Sequence, residues 1–67
     1  MDIEKSIRTG LAIRKMTPAD VRKCVNKSAQ TVSYWMNNKS NPTLSDLEKL
    51  AKLFEVKVST FIEWGEE

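Results

Sequence analysis

Apolar residues recur at every third or fourth position along this chain, and that spacing limits its fold more than any other feature. The pattern begins with Ile3, Ile7 and Leu11. A period near 3.6 residues puts such side chains on one face of an α-helix, whereas a half-buried strand needs alternating apolar and polar residues. No segment shows convincing alternation. The sequence therefore predicts an all-α fold.

Capping residues divide the first half of the chain into three predicted helices. The first covers roughly residues 2–15. Thr17 can cap the second helix, and Pro18 suits its first position. Asn26 tolerates the left-handed backbone that ends a helix, and Ser28 is the next candidate cap. The second and third helices are expected to direct the following residues to the core: Val21, Cys24, Val25, Ala29, Val32, Trp35 and Met36.

Two further helices are predicted after residues 37–42, a loop rich in turn-forming residues. Thr43 begins the fourth helix, with Asp46 three residues on as in a capping box. A short fifth helix ends before Gly65. Their expected core residues are Leu44, Leu47, Leu50, Ala51 and Phe54 for the fourth, and Val58, Phe61 and Ile62 for the fifth. The prediction is a compact five-helix fold over residues 1–67, since a chain of 67 residues allows only one small domain.

The composition argues against an enzyme and against bound cofactors or metals. The chain has no histidine and a single cysteine, Cys24, so it cannot assemble a Cys/His zinc site, a Ser-His-Asp triad or a Cys-His pair. Its only glycines, Gly10 and Gly65, form no phosphate-binding loop. We expect no catalytic residues, no metal, no cofactor and no small-molecule ligand.

The sequence also predicts a cytoplasmic protein. One cysteine cannot form an internal disulfide, which suits a reducing compartment. No apolar run approaches the roughly 20 residues of a membrane span, and residues 1–5 lack the basic start of a signal peptide. No interaction with a membrane is expected.

Charge is distributed unevenly along the chain, although the net charge is only +2. Residues 5–39 carry eight basic residues and one acidic residue, a net charge of +7. Residues 40–67 carry three basic and six acidic residues, a net charge of −3. A basic half is expected where one face meets a polyanion, although such clusters also occur on ordinary solvated surfaces.

The second and third predicted helices, joined by a tight turn, form a helix-turn-helix. Opposite its core face, the third helix carries Gln30, Ser33, Tyr34 and Asn37 at positions i, i+3, i+4 and i+7. This outward face has no charge and no aliphatic side chain. Solvent faces usually carry Lys and Glu, whereas amides and hydroxyls can contact base edges in DNA, with Gln the usual partner of adenine. We therefore interpret this face as a candidate site of base recognition.

The segment Thr17–Phe61 resembles the phage Cro and lambda-repressor-like (XRE-type) helix-turn-helix regulators. The residues that carry the resemblance are Met16, Thr17, Val21, Val25, Ser28, Thr31, Val32, Ser33, Trp35, Asn41, Pro42, Thr43, Leu44, Leu47, Leu50, Ala51, Lys52, Phe54, Val56 and Phe61. The resemblance implies a five-helix, lambda-repressor-like DNA-binding domain. In this family the third helix enters the major groove.

The resemblance also implies DNA contacts by position. Base contacts fall on Ala29, Gln30, Ser33 and Tyr34. Phosphate contacts fall on Thr17, Ser28, Asn37 and Lys39. Independently of the resemblance, a dimer contact is predicted at Phe61 and Trp64, and the alternative is that they complete the core of one molecule.

The chain departs from the family pattern around the helix-turn-helix. Pro18 replaces the usual Gln at the start of the second helix, and Arg22 replaces a small residue. We expect the stem of Arg22 to extend past the third helix to solvent. Asn26 replaces the turn glycine, and Lys27 replaces the apolar residue after it.

These observations predict a sequence-specific regulator of transcription, a Cro-like repressor that binds double-stranded DNA as a homodimer. Because the chain ends after the fifth helix, no second domain is expected. The alternative is a protein–protein interaction module of the same fold, of the antitoxin or anti-regulator type. Its working surface would be the acidic C-terminal half and Trp64.

Overall fold

The computed structural model describes residues 2–66. These residues form five helices, namely α1 (Ile3–Arg14), α2 (Pro18–Val25), α3 (Ala29–Met36), α4 (Leu44–Leu53) and α5 (Val58–Glu66). The predicted all-α fold is confirmed. Met1 and Glu67, which the predicted domain includes, lie outside the described residues. None of the five helices has the length and apolar character needed to cross a membrane.

Capping side chains begin α3 and α4 where the sequence predicts them. Ser28 Oγ accepts a hydrogen bond from the Thr31 N–H at 3.2 Å. Thr43 Oγ1 accepts from the Asp46 N–H, and the Asp46 carboxylate accepts from the Thr43 N–H, both at 3.2 Å. Each bond satisfies a backbone N–H that has no partner within its own helix.

Left-handed residues end the first two helices. Asn26, at φ 56°, closes α2 as predicted, and its N–H donates to the Arg22 carbonyl. Lys15 closes α1 in the same conformation at φ 55°. Asparagine adopts this conformation readily, whereas a lysine side chain gives no local signal for it.

The core is built from one face of every helix. α1 packs on α5 and α3, α2 packs on α4 and α3, and α4 packs on α5. The buried apolar residues are Ile3, Ile7, Leu11, Val21, Val25, Val32, Trp35, Leu50, Ala51, Phe54 and Phe61. The helical spacing in the sequence thus corresponds to real burial, and α3 is supported from behind by α1 and α2.

Two glycines allow close approaches between elements. A Cβ built on Gly10 would lie 2.6 Å from Cδ2 of Phe54, and one built on Gly65 would lie 2.5 Å from the carbonyl oxygen of Asp2. The sequence predicts that the fifth helix ends before Gly65, and this prediction is wrong. Gly65 lies inside α5, at the crossing of that helix with the start of α1.

An aromatic cluster fills the junction of α4 and α5. Phe54 and Phe61 stack with ring centroids 6.0 Å apart, and Trp64 contacts both rings at 6.2 and 6.1 Å. Phe61 is fully buried, so it has no surface to offer to the dimer contact predicted for it. Trp64 is only partly buried and retains some accessible surface.

Four side chains predicted to point to the core lie outside the core cluster, namely Cys24, Ala29, Leu44 and Ile62. Leu44 is 67% exposed at the first position of α4, whereas Leu47 is partly buried and Leu50 is fully buried. Ala29 is likewise exposed at the first position of α3. Cys24 is partly buried at the contact between α2 and α4, with its Sγ 3.4 Å from the carbonyl oxygen of Lys49.

Candidate nucleic-acid interface

α2 and α3 form the predicted helix-turn-helix. Three residues separate them, and the first of these, Asn26, reverses the chain through its left-handed backbone. The last, Ser28, caps α3. On α3, Val32 and Trp35 are each only 2% exposed, so this face is fixed against the rest of the protein. The opposite face of α3 is thereby held toward solvent.

The four residues predicted to contact bases all lie exposed on α3. They are Ala29, Gln30, Ser33 and Tyr34. Tyr34 is one of the few large apolar side chains with substantial accessible surface, at 40%. Ala29 is exposed, which contradicts its predicted burial, and it lines the same groove as Ser33.

Hydrogen bonds one helical turn apart order this face. Gln30 Nε2 donates to Tyr34 Oη at 2.8 Å. Asn37 Nδ2 donates to the Ser33 carbonyl at 2.7 Å and to Ser33 Oγ at 3.4 Å. The polar groups are thus partly oriented before any ligand arrives.

A groove of about 460 Å³ borders the exposed face of α3. Its walls come from three helices: Arg8, Pro18, Arg22, Ala29, Val32, Ser33, Met36 and Asn37. Arg22 is exposed there, as expected for a side chain whose stem passes α3 to solvent. Arg8 lies in the same wall, and its Nε is 2.9 Å from Glu4 Oε2.

Sequence reasoning did not include Arg8 or Arg22 among the candidate contacts. Their positive charge was visible, but the groove that brings them beside Ser33 and Asn37 exists only in the tertiary structure. The available signal was the replacement of a small residue by Arg22 at the helix-turn-helix. A cation beside a row of neutral polar groups suits an anionic ligand.

The predicted phosphate contacts differ in the donors they have free. Asp20 Oδ2 accepts from both the N–H and the hydroxyl of Thr17, at 2.9 and 3.3 Å. Ser28 Oγ lies 3.0 Å from Thr31 Oγ1 in addition to capping α3. Asn37 lines the groove, and Lys39 is exposed just beyond α3.

A junction that sequence reasoning missed ties the end of α3 to the start of α1. Asn38 follows α3 with φ 56°, and its Nδ2 donates to Asp2 Oδ1 at 3.1 Å. Asn38 Oδ1 accepts from the N–H of Glu4 at 3.3 Å. Hydrogen bonds from the Lys5 N–H and from Asn38 hold the pKa of the Asp2 carboxyl below its usual value. The two Asn38 bonds span more than 30 positions, so no local pattern could have predicted them.

The described residues 2–66 hold no group of three His, Cys, Asp or Glu side chains that could bind a metal ion.

Comparison with known proteins gives one match. A family described as the Cro/C1-type helix-turn-helix DNA-binding domain matches residues 6–67. No curated protein and no solved structure matched the chain. The matched region contains α2, the turn and α3, and it leaves out residues 1–5, where α1 begins. The family predicted from the sequence is confirmed, and the chain belongs to the Cro/C1-type helix-turn-helix DNA-binding domains.

Proposed function

We propose that this DNA-binding regulator is a sequence-specific, Cro-like repressor that acts as a homodimer on a pseudo-palindromic operator. One observation carries the proposal, namely the exposed and uncharged face of α3 beside a groove that holds two arginines. Neutral amides and hydroxyls suit the edges of bases, whereas the flanking cations suit phosphates.

The proposed base contacts are Ala29, Gln30, Ser33 and Tyr34. Gln30 has the donor and the acceptor that adenine requires in the major groove. Ala29 or the ring of Tyr34 can contact a thymine methyl group. Their common exposure on one face of α3 supports this assignment.

The proposed phosphate contacts are Ser28, Asn37 and Lys39, joined by the groove residues Arg8 and Arg22. Thr17 was predicted with them. Its donors must leave the Asp20 carboxylate before they can reach a phosphate, and the same carboxylate repels a phosphate. Among the proposed phosphate contacts we therefore expect Thr17 to contribute least.

The length of α3 supports a dimer. A helix of eight residues is about 12 Å long, which spans only three or four base pairs. Two copies related by a two-fold axis would double the site, with half-sites about 10 bp apart. The accessible surface of Trp64 is the remaining candidate for the contact between them. Bound in this way, the protein would repress by excluding polymerase from the site, in the cytoplasm and associated with the nucleoid.

Selection of bound duplexes from a random DNA library tests this function. The selection is run with the full chain at low and at near-physiological salt, because nonspecific phosphate binding weakens steeply as salt rises. We expect an enriched inverted repeat with half-sites one helical turn apart. Binding that fades with salt and enriches no sequence would contradict the proposal and favour the protein–protein module. A partner interaction lost on Trp64→Ala but kept on Gln30→Ala would then support that alternative.

A further inference from the structure

Gln30 and Tyr34 are joined by a hydrogen bond on the exposed face of α3. Gln30 Nε2 donates to Tyr34 Oη at 2.8 Å. Both side chains are exposed, so the bond does not satisfy a buried polar group. It lies on the face to which we assign the base contacts, and its effect is to hold one end of the Gln30 amide.

The bond leaves a defined set of groups on Gln30. A primary amide has two N–H donors and one carbonyl acceptor. Tyr34 takes one donor, so one N–H and Oε1 remain. This donor–acceptor pair matches N7 and the N6 amino group of adenine. Guanine presents two acceptors, N7 and O6, and cytosine presents only a donor, so neither pairs with both groups.

Restraint of the amide matters because glutamine is flexible. A free glutamine on a helix surface rotates about three torsions and can offer its amide in either sense. Tyrosine has two side-chain torsions and a rigid ring, so it is the better anchor. Tyr34 Oη keeps its own hydrogen while it accepts from Gln30, and that hydrogen is available to a neighbouring acceptor on the DNA.

We propose that Tyr34 is a positioning residue that fixes the Gln30 amide in the orientation that selects adenine. The inference rests on the proposed function, because it assigns a base to a residue of the same site. Specificity for adenine at the base that Gln30 contacts then requires both Gln30 and Tyr34, and it depends on the phenolic hydroxyl of Tyr34.

The test uses the duplex that the selection enriches and its single-base variants, in competition binding with the full chain. Wild type is compared with Gln30→Ala, Tyr34→Phe and the double variant. Tyr34→Phe removes only the hydroxyl from a side chain that is 40% exposed, so the fold is retained, which a thermal melt verifies. Ser59→Ala is the control, because it removes an exposed hydroxyl from α5 and leaves α3 unchanged.

Wild type is expected to prefer adenine by about tenfold or more at one position of each half-site, and Gln30→Ala should abolish that preference. Tyr34→Phe should reduce it to about threefold or less while other positions keep their preferences. The double variant should match Gln30→Ala. Ser59→Ala should leave the adenine preference intact.

Two results would overturn this inference alone. Tyr34→Phe could weaken binding to all duplexes equally and keep the adenine preference, or the position lost on Gln30→Ala could be guanine. Absence of any enriched sequence with wild type would instead contradict the proposed function, and this inference would fall with it.

Discussion

The backbone at Gly10 passes so close to Phe54 that no side chain fits between them. A Cβ there would lie 2.6 Å from the ring, and the ring is fully buried against Phe61. Gly10 is thus the residue that sets how closely α1 approaches the aromatic cluster.

Gly10→Ala is expected to destabilise the protein. Alanine favours a helix by about 1 kcal/mol relative to glycine, but overpacking a buried ring costs about 1–3 kcal/mol, and the Phe54 ring already packs against Phe61 and Trp64. We expect a net loss in the free energy of unfolding, measured by urea denaturation. Ile13→Ala, at a position of α1 that is 56% exposed, is the control and should change stability by less than about 1 kcal/mol. A Gly10→Ala variant as stable as wild type would show that the ring moves freely.

The lowered pKa of the Asp2 carboxyl makes the free energy of unfolding depend on pH. Bonds from the Lys5 N–H and from Asn38 lower its pKa in the folded protein, so the unfolded state binds more protons in the window between the two pKa values. The stabilisation is complete above the pKa of Asp2 in the unfolded state, about 4, and it is lost as the pH falls through the pKa of Asp2 in the folded state.

Asp2→Asn tests this contribution, because asparagine also caps helices but does not titrate. Thermal melts of both proteins from pH 6 to pH 2 should show wild type losing more stability than the variant as the pH falls. Melting temperatures that fall in parallel would contradict the role of Asp2.

At the scale of elements, helix boundaries were predictable where capping chemistry is local. Ser28 and Thr43 begin helices, and Asn26 ends one, because each acts on backbone groups within three or four residues. Burial was less predictable. A helical wheel gives the direction of Leu44, but it cannot show that no other element covers this first position of α4.

The exposed face of α3 followed from periodicity, whereas its surroundings did not. The groove with Arg8 and Arg22 and the junction at Asn38 combine residues from distant parts of the chain. Local patterns carry no information about such contacts. The close approach of Gly65 to the Asp2 carbonyl could not be predicted from the sequence for the same reason.

Lys39, just beyond α3, is expected to act on phosphates and not on bases. Lys39→Ala should weaken binding to the selected operator and to a scrambled duplex equally. It should also lower the slope of log affinity against log salt by about one. Salt titrations by fluorescence anisotropy measure both effects.

Lys52→Ala is the matched control for this experiment. Lys52 lies in the last turn of α4, beside Phe54, whose carbonyl accepts a hydrogen bond from Arg14 at the end of α1. Asn38 contacts the opposite end of α1. Lys52 is thus near the end of α1, whereas Lys39 is near its start. Because Lys52 lies away from the end of α3, removing its charge should leave the slope of log affinity against log salt nearly unchanged. An unchanged slope with Lys39→Ala would remove Lys39 from the phosphate contacts.

On the scale of the whole molecule, the distribution of charge follows the division between the first three helices and the last two. The basic residues concentrate in positions 5–39, which contain most of α1 and all of α2 and α3, whereas the acidic residues concentrate in the part that contains α4 and α5. α3 is backed by α1 and α2, so its exposed face is presented by a rigid support. A surface of this kind is suited to a polyanion such as DNA.

The proposed dimer makes the spacing of half-sites a prediction. Insertion of five base pairs between the half-sites turns one of them to the other side of the duplex, since one helical turn is about 10 bp. We expect the shifted duplex to bind no better than a single half-site, and insertion of ten base pairs to recover part of the affinity. Equal affinity for all three spacings, measured by gel shift, would indicate independent monomers.

The central claim is that the exposed face of α3 recognises DNA sequence. Its most direct test compares the affinities of wild type and Gln30→Ala for the operator and for a scrambled duplex at near-physiological salt. We predict that Gln30→Ala loses about 1–3 kcal/mol on the operator and nothing on the scrambled duplex, because a base contact contributes only where its base is present. Equal losses on both duplexes, or no loss on either, would contradict the account.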